Sequence, residues 1–378
     1  MVSYAAPFDK LRVVDLSQGI AGPYCAMLLA QYGADVIKVE PADGDWARHI
    51  GETHGDHTPF SVAGNLGKRS LVLDLKDPDD QEVLWDYLDG ADLFIEGFRP
   101  GVCERLGFGY EAVRARNSRL IYVSVSGFGQ TGPLASKPAM DPILQAFTGY
   151  MASNCMPDGT PMRTPPIIVD MSTALYAFQA VSAALYARRD EQEGRRIEVS
   201  LMEAAINLQC VRQMQTHLVG AQPPSATAPA GAFKCQDDYL FVVVMRQADF
   251  TKLCDAMDLP ELRDDPRFAS PRLRFDNMDI INRTVAARFA EAPAATWNER
   301  LTEAGLQNER VLTYPEFLRH PHVVETETIS WLPQPGFDQP VPMPNVPGAE
   351  RLQPGTDRAH SPDIGEHTKT LRSKRSWD

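Results

Sequence analysis

Five short runs of β-branched and aliphatic residues alternate with single helix-like stretches, and this alternation constrains the chain more than any other feature of it. The runs are LRVVDL (Leu11 to Leu16), DVIKVE (Asp35 to Glu40), SLVLDL (Ser70 to Leu75), DLFIEGF (Asp92 to Phe98) and LIYVSVSGFG (Leu120 to Gly129). AGPYCAMLLAQYGA (Ala21 to Ala34) reads as a helix, with Pro23 near its first turn and Gly33 near its end, and a second helix spans about Pro78 to Leu88. Strands spaced by single helices form βαβ units and a parallel sheet. Right-handed crossovers then predict an α/β fold with a Rossmann-like, doubly wound parallel sheet, whose ligands sit beyond the strand C-termini. The first turn reads DLSQGIAGP (Asp15 to Pro23), not G-x-G-x-x-G, which argues against a plain NAD site. Gly19 and Gly22 still permit close backbone approach there.

PPIIVDMSTALYAFQAVSAALYARR (Pro165 to Arg189) reads as a short apolar strand running into a helix over about Met171 to Arg189. Met171, Ala174, Leu175, Phe178, Val181 and Leu185 recur at helical spacing. Asp170 stands at the joint. RRIEVSLMEAAINLQCVRQM (Arg195 to Met214) reads as a strand and another long helix. VGAQPPSATAP (Val219 to Pro229) is a linker by composition. Beyond it, a strand at Tyr239 to Val244 and helices near Gln247 to Met257, Met278 to Ala290 and Thr296 to Ala304 suggest a smaller α+β domain. From Pro333 the chain is rich in proline and glycine and is expected to be extended over a surface, ending in a loosely ordered basic segment, TLRSKRSWD. The expected division is 1–220, 221–329 and 330–378, with the last segment returning to the large domain.

A net charge of −13 disfavours nucleic acid and anionic membranes as partners, though an anionic ligand could still be met by local amides and a few cations. The six cysteines are scattered without a C-x-x-C and read as reduced, mostly buried thiols of a cytoplasmic protein. No signal core follows the N-terminus, and no apolar run long enough to span a bilayer is expected. His54 and His57 in HGDH, and His320 and His322 in HPH, sit in polar loops without a further ligand set, so no metal is expected.

LRVVDLSQGIAGPYCAMLLAQYGADVIKVEPADGD resembles the opening of the family III CoA-transferases, the CaiB/BaiF family. The resemblance continues through NLGKRSLVLDLKDPDD, LFIEGFRPGVCERLGFGYE, LIYVSVSGFGQTGP, MDPILQAFTGYM and the Pro165 to Arg189 stretch, and fades after about Leu208; PAGAFKCQDDYLFV and RFDNMDIINR keep the family's spacing. It implies a CoA-binding Rossmann-like large domain, a smaller domain facing it, and an interlocked homodimer of open rings. It also implies an enzyme that moves CoA between an acyl-CoA thioester and a free carboxylic acid, with CoA as substrate and no other cofactor.

The family's nucleophile is an aspartate before a long helix, and Asp170 matches it. A carboxylate can exchange acyl groups through an anhydride and an aspartyl-CoA thioester. Asp170 could also simply cap the helix. Lys76 and Arg105 match positions near the CoA nucleotide. Leu73 to Leu75, with Gly97, Phe98 and Arg99, match positions around adenine and pantetheine. Lys38 and Glu40 end the second strand, where a nucleotide could lie.

Three departures bear on substrate and activity. Formyl-CoA:oxalate transferases have glutamine beside the thioester where Ile20 stands, and a glycine-rich loop of which only Gly231 survives. Oxalate is therefore doubtful. α-Methylacyl-CoA racemases share the fold and use a histidine opposite the aspartate, but Met140 holds that position and cannot carry a proton. A racemase-like isomerase and a catalytically silent acyl-CoA-binding protein are the alternatives. Arg163, in PMRTPP, is a candidate for a second carboxylate of a diacid.

Overall fold

The structure, a computed structural model, describes residues 6–156, 158–220 and 227–377. β1 (Arg12–Asp15) leads through α1 (Ala21–Gln31) to β2 (Asp35–Glu40), and α2 (Pro59–Asn65) precedes β3 (Arg69–Val72). α3 (Pro78–Asp89), β4 (Leu93–Glu96), α4 (Val102–Arg105), α5 (Tyr110–Arg116) and β5 (Ile121–Ser126) follow. Next come α6 (Asp141–Phe147), α7 (Tyr150–Ser153), α8 (Ile168–Ala187), β6 (Arg196–Ser200), α9 (Leu201–Leu208) and α10 (Cys210–Val219). The six strands form one parallel sheet in the order β3-β2-β1-β4-β5-β6, that of a doubly wound Rossmann-like core.

Side chains alternate across this sheet, so neighbouring residues of one strand feed two different cores. Val13, Val36, Ile95 and Val123 pack with Leu29 of α1, Leu144 of α6, Ala177 of α8 and Ala205 of α9. Val14, Ile37, Phe94 and Tyr122 pack on the opposite face with Leu84 and Tyr87 of α3 and Val113 of α5. The connection after β1 thus runs over one face and that after β4 over the other. Strand order reverses between these neighbours, which opens a crevice at their C-terminal ends.

Several expectations need correction. No strand precedes Asp170: Pro165 and Pro166 cannot donate to a ladder, and α8 starts at Ile168. The long helix expected after β6 is broken at Gln209 into α9 and α10. By length and composition α8 is apolar enough to cross a bilayer, contrary to expectation, but Val169, Ala174, Ala177, Val181 and Ala184 place one stripe of it in the core. The linker expected over 219–229 falls in part on 221–226, outside the described residues.

The chain divides into two compact units, Met1–Gln213 with His322–Asp378, and Met214–Pro321. In the second, β7 (Ala230–Lys234), β8 (Tyr239–Val243) and β9 (Gln307–Arg310) form an antiparallel sheet. α11 (Gln247–Ala256), α12 (Pro260–Arg263), α13 (Pro271–Asp276), α14 (Met278–Phe289) and α15 (Ala294–Glu303) accompany it, with α16 (Tyr314–Arg319) after β9. The strand expected near Tyr239 therefore has two partners that the sequence reading missed.

α17 (Pro321–Glu325) leads into a hairpin, β10 (Ile329–Leu332) with β11 (Val341–Pro344), and the chain ends in α18 (Thr368–Lys374). The proline-rich tail is thus neither wholly extended nor loose at its end. Leu332, Leu352, Ala359 and Leu371 are buried, and the Trp377 indole donates to the Tyr87 carbonyl at 2.8 Å.

Candidate active site

The loop that follows β1 rests on buried charge. Asp15 accepts from Lys68 at 2.7 Å, and Lys38 donates to Asp45 at 2.7 Å and to the Ser17 carbonyl. Burial alone would raise the Asp15 carboxyl, but Lys68 and Lys38 outweigh it and hold it below its ordinary value. Asp45 Oδ1 accepts from the Gly19 and Ala47 amides, which ties the loop to the short helical turn carrying Trp46. Gly19 has φ +82°, and a Cβ there would lie 2.2 Å from the Trp46 ring, so glycine is required. Lys38 and Glu40 belong to this scaffold rather than to a nucleotide site. Both are buried, and Glu40 pairs with Arg48 at 2.9 Å.

Asp170 lies in the first turn of α8, three residues beyond the N-cap, Ile167. It does not cap the helix. Asp141 does so from α6: its Oδ2 accepts from the Val169 amide at 2.7 Å and the Asp170 amide at 3.3 Å. Asp141 Oδ1 accepts from Gln145 at 2.6 Å, and Gln145 Oε1 accepts from the Thr164 amide at 3.0 Å. This chain of bonds fixes the segment that delivers Asp170. Burial, and then the charge of Asp141, push the Asp170 carboxyl up to about 7. At neutral pH it exists in both protonation states.

Asp170 lines a cavity of about 790 Å³ at the strand C-termini. Ile20, Gly97, Phe98, Arg99 and Met140 line it too, so six of the residues singled out from the sequence come together. Leu73, Leu75, Lys76 and Arg105 do not line it: Leu73 is buried on the α3 face, Leu75 packs against that core, and Lys76 and Arg105 are exposed. The sequence reading missed Gln18, Trp46, Ser126 and Lys137, which also line the cavity. Lys137 lies beyond the end of β5, a position that the strand-end rule could have flagged. Lys137 and Arg99 are exposed cations in the cavity wall, with the Lys137 ammonium 5.6 Å from the centre of the Phe128 ring.

Below this wall sits a second perturbed carboxyl. Glu96, at the end of β4, is 5% exposed; it accepts from the Phe98 amide at 2.9 Å and bonds to Ser124. Burial raises its carboxyl to about 7. It holds the turn that presents Gly97 to Arg99.

Other candidates lie elsewhere. The Arg163 guanidinium donates to the Pro165 carbonyl at 3.3 Å and does not line the cavity, so it does not present a counter-charge there. Gly231 is in β7 of the second unit, with open space where a Cβ would stand. His54 and His57 lie in the turn before α2, as expected, but the His57 ring is buried and pairs with Asp363 at 2.8 Å, and His54 stacks on Phe337. Cys25, Cys103, Cys235 and Cys254 are buried, and Cys155 and Cys210 are exposed.

Comparison with known proteins adds an independent line. The model of the family "CoA-transferase family III" matches residues 8–368. The acetyl-CoA:oxalate CoA-transferase of Acetobacter aceti is 37% identical over 308 residues, covering 79% of each chain. The succinyl-CoA–D-citramalate CoA-transferase of Chloroflexus aurantiacus is 31% identical, covering 97% of this chain and 93% of that one. Among solved structures, a CaiB/BaiF family protein from Brucella suis superposes with a TM-score of 0.87 at 27% identity, covering 98% of this chain and all of the other. Rv3272 from Mycobacterium tuberculosis superposes with a TM-score of 0.86 at 29% identity, covering 97% and 99%.

Proposed function

The chain belongs to CoA-transferase family III and is an enzyme acting between acyl-CoA and carboxylic acids, and from that premise we propose that Asp170 carries the acyl exchange as a covalent nucleophile. A carboxylate oxygen of Asp170 attacks the thioester carbonyl and expels CoA thiolate, giving a mixed anhydride. The thiolate attacks the Asp170 carboxyl carbon and releases the donor acid, leaving an aspartyl-CoA thioester. The acceptor carboxylate attacks the same carbon, expels the thiolate and forms a second anhydride. The thiolate then takes the acceptor acyl group and frees Asp170. Overall one thioester is exchanged for another and one carboxylate for another, so the net reaction is close to balanced and the protein's task is to position groups, stabilise the anhydrides and exclude water.

The observation that carries this reading is a carboxyl in the wall of the switch-point cavity that makes no hydrogen bond among the described residues and is pushed up to about 7. A carboxyl of raised pKa is a better nucleophile once ionised, and at neutral pH enough of it is ionised. Met140 lines the same cavity where a racemase needs its second proton carrier, which disfavours the isomerase reading. The test is intact-protein mass spectrometry after incubation with a panel of acyl-CoAs and quenching with hydroxylamine. A hydroxamate that maps to Asp170, and is lost in Asp170→Ala, supports the mechanism. Turnover with no such adduct, or turnover retained in Asp170→Ala, excludes it.

Arg99 and Lys137 supply counter-charge for CoA phosphates in this reading, and Lys76, in the loop after β3, and Arg105, the last residue of α4, extend it outside the cavity wall. CoA enters as substrate, with no metal or redox cofactor. We place the enzyme in the cytoplasm, away from membranes and nucleic acid. The working form proposed is an interlocked homodimer. Phe147, Leu175, Tyr186, Leu208 and Val211 are all strongly exposed on α6, α8, α9 and α10, an apolar load that a second copy would cover.

A further inference from the structure

A second cavity lies beside the first turn of α8. Asp170 lines the switch-point cavity and the next residue, Met171, lines this one. Its volume is about 500 Å³, within the range of small-molecule sites. Tyr24 and Met27 of α1, Val62 of α2 and Met343 of the C-terminal hairpin form much of the wall.

The chemistry of the wall selects the occupant. Among the described residues no Lys, Arg, His, Asp or Glu lines it, so a charged group placed there would meet no counter-charge from them and would be strongly disfavoured. The Gln31 side-chain nitrogen is already committed to the Leu66 and Arg358 carbonyls at 3.3 and 3.0 Å, which leaves its amide oxygen as an acceptor. The Tyr24 hydroxyl, by contrast, makes no hydrogen bond among the described residues, and burial is the one influence on its titration. Three methionines, Met27, Met171 and Met343, give an adaptable apolar surface.

We infer that this cavity binds a medium-length aliphatic or aryl group, with the Tyr24 hydroxyl as a polar contact. The group is either the apolar body of a carboxylic acid that reacts at Asp170, which rests on the reading above, or a separate effector sensed through the shared turn of α8.

Binding is read without catalysis by NMR of the full chain labelled with 13C-methyl methionine, assigned by Met→Leu variants. Octanoate and octan-1-ol should shift the Met27, Met171 and Met343 signals, and succinate should not. Ala63→Phe, which fills the cavity from its α2 wall, should weaken binding by roughly tenfold or more. Tyr24→Phe should weaken octan-1-ol binding while leaving the fold intact. If the group is the substrate's body, Ala63→Phe lowers the ratio of kcat/KM for octanoate over acetate. If it is an effector, octan-1-ol changes acetate turnover in the natural protein and not in Ala63→Phe. The inference is overturned if the three signals do not move, if they move equally in Ala63→Phe, or if they change only with protein concentration, as they would when a partner copy fills the space. Because the NMR arm needs no turnover, its failure is separable from failure of the Asp170 mechanism.

Discussion

Asp141 caps the helix that carries Asp170, and in doing so sets one carboxylate beside another: its Oδ2 lies 2.7 Å from the Val169 amide and 3.3 Å from the Asp170 amide. The favourable field of the helix N-terminus is thereby spent on Asp141, and Asp170 receives its repulsion. Together with burial this raises the Asp170 carboxyl to about 7. Attack needs the ionised form, so kcat/KM for the acyl-CoA half-reaction should fall as pH drops below about 7. Asp141→Asn keeps an acceptor for the amides but removes the charge. The acid limb should then move down by about one pH unit, with slower attack on the high-pH plateau because a less basic carboxylate is a weaker nucleophile. Half-reaction rates between pH 5 and 9 check this; an unmoved limb would show that burial alone sets the value.

Stability should carry the opposite sign of the same effect. The folded state holds the Asp170 proton more tightly than the unfolded chain, where the value is 3.8. That contribution is complete below the unfolded value and is lost as pH rises through about 7. Asp170→Asn removes the buried charge, so it should raise Tm at pH 8.5 by about 2–6 °C and by less than half as much at pH 5. Thermal melts at the two pH values decide it. An equal gain at both would assign the effect to packing rather than to ionisation.

Arg99 and Lys137 stand exposed in the cavity wall, and neither makes an ion pair among the described residues. Removing either cation should leave Tm nearly unchanged and raise KM for acyl-CoA roughly fivefold. The penalty should shrink as salt is added, because exposed charges are screened. A KM increase that persists in high salt would mean that the side chain acts by packing.

The parallel core was legible because β-branched runs and single helices at fixed spacing allow few other arrangements. The six residues that line the cavity were legible only through the family resemblance; the strand-end rule by itself points to Lys38 and Glu40. What the sequence hid was partnership between distant segments. Nothing local marks Asp141 as the cap of a helix 28 residues later, or shows that the Asp170 carboxyl makes no hydrogen bond among the described residues. Lys38 and Glu40 looked available at a strand end; only the fold shows them consumed by Asp45 and Arg48. The tail misled for a related reason. Its prolines suggested an extended strap, yet Val341 to Pro344 pairs as an edge strand with Ile329 to Leu332, where proline is tolerated.

The buried charges under the first loop make the last prediction, and the two lysines there need Asp15. Lys68 Nζ donates to Asp15 at 2.7 Å, to the Pro23 carbonyl at 2.9 Å and to Asn65 at 3.1 Å, and Lys38 lies 4.0 Å from the same carboxylate. Burial nevertheless lowers the Lys68 ammonium to about 8, with Asp15 opposing the shift. Asp15→Asn withdraws that opposition and leaves both cations undercompensated, at a cost of about 3–5 kcal/mol. A lysine whose folded value is depressed binds its proton less well in the fold than in the unfolded chain, so the penalty is present at low pH and relieved as pH rises through the folded value. The Asp15→Asn deficit should therefore be larger at pH 7 than at pH 9.5. Adding Lys68→Met should recover part of it at pH 7, since a neutral chain of similar length no longer needs the carboxylate. Urea melts of the two variants at both pH values test the scheme. A deficit independent of pH and untouched by Lys68→Met would mean that Asp15 acts through its bonds to Ser17 rather than through charge.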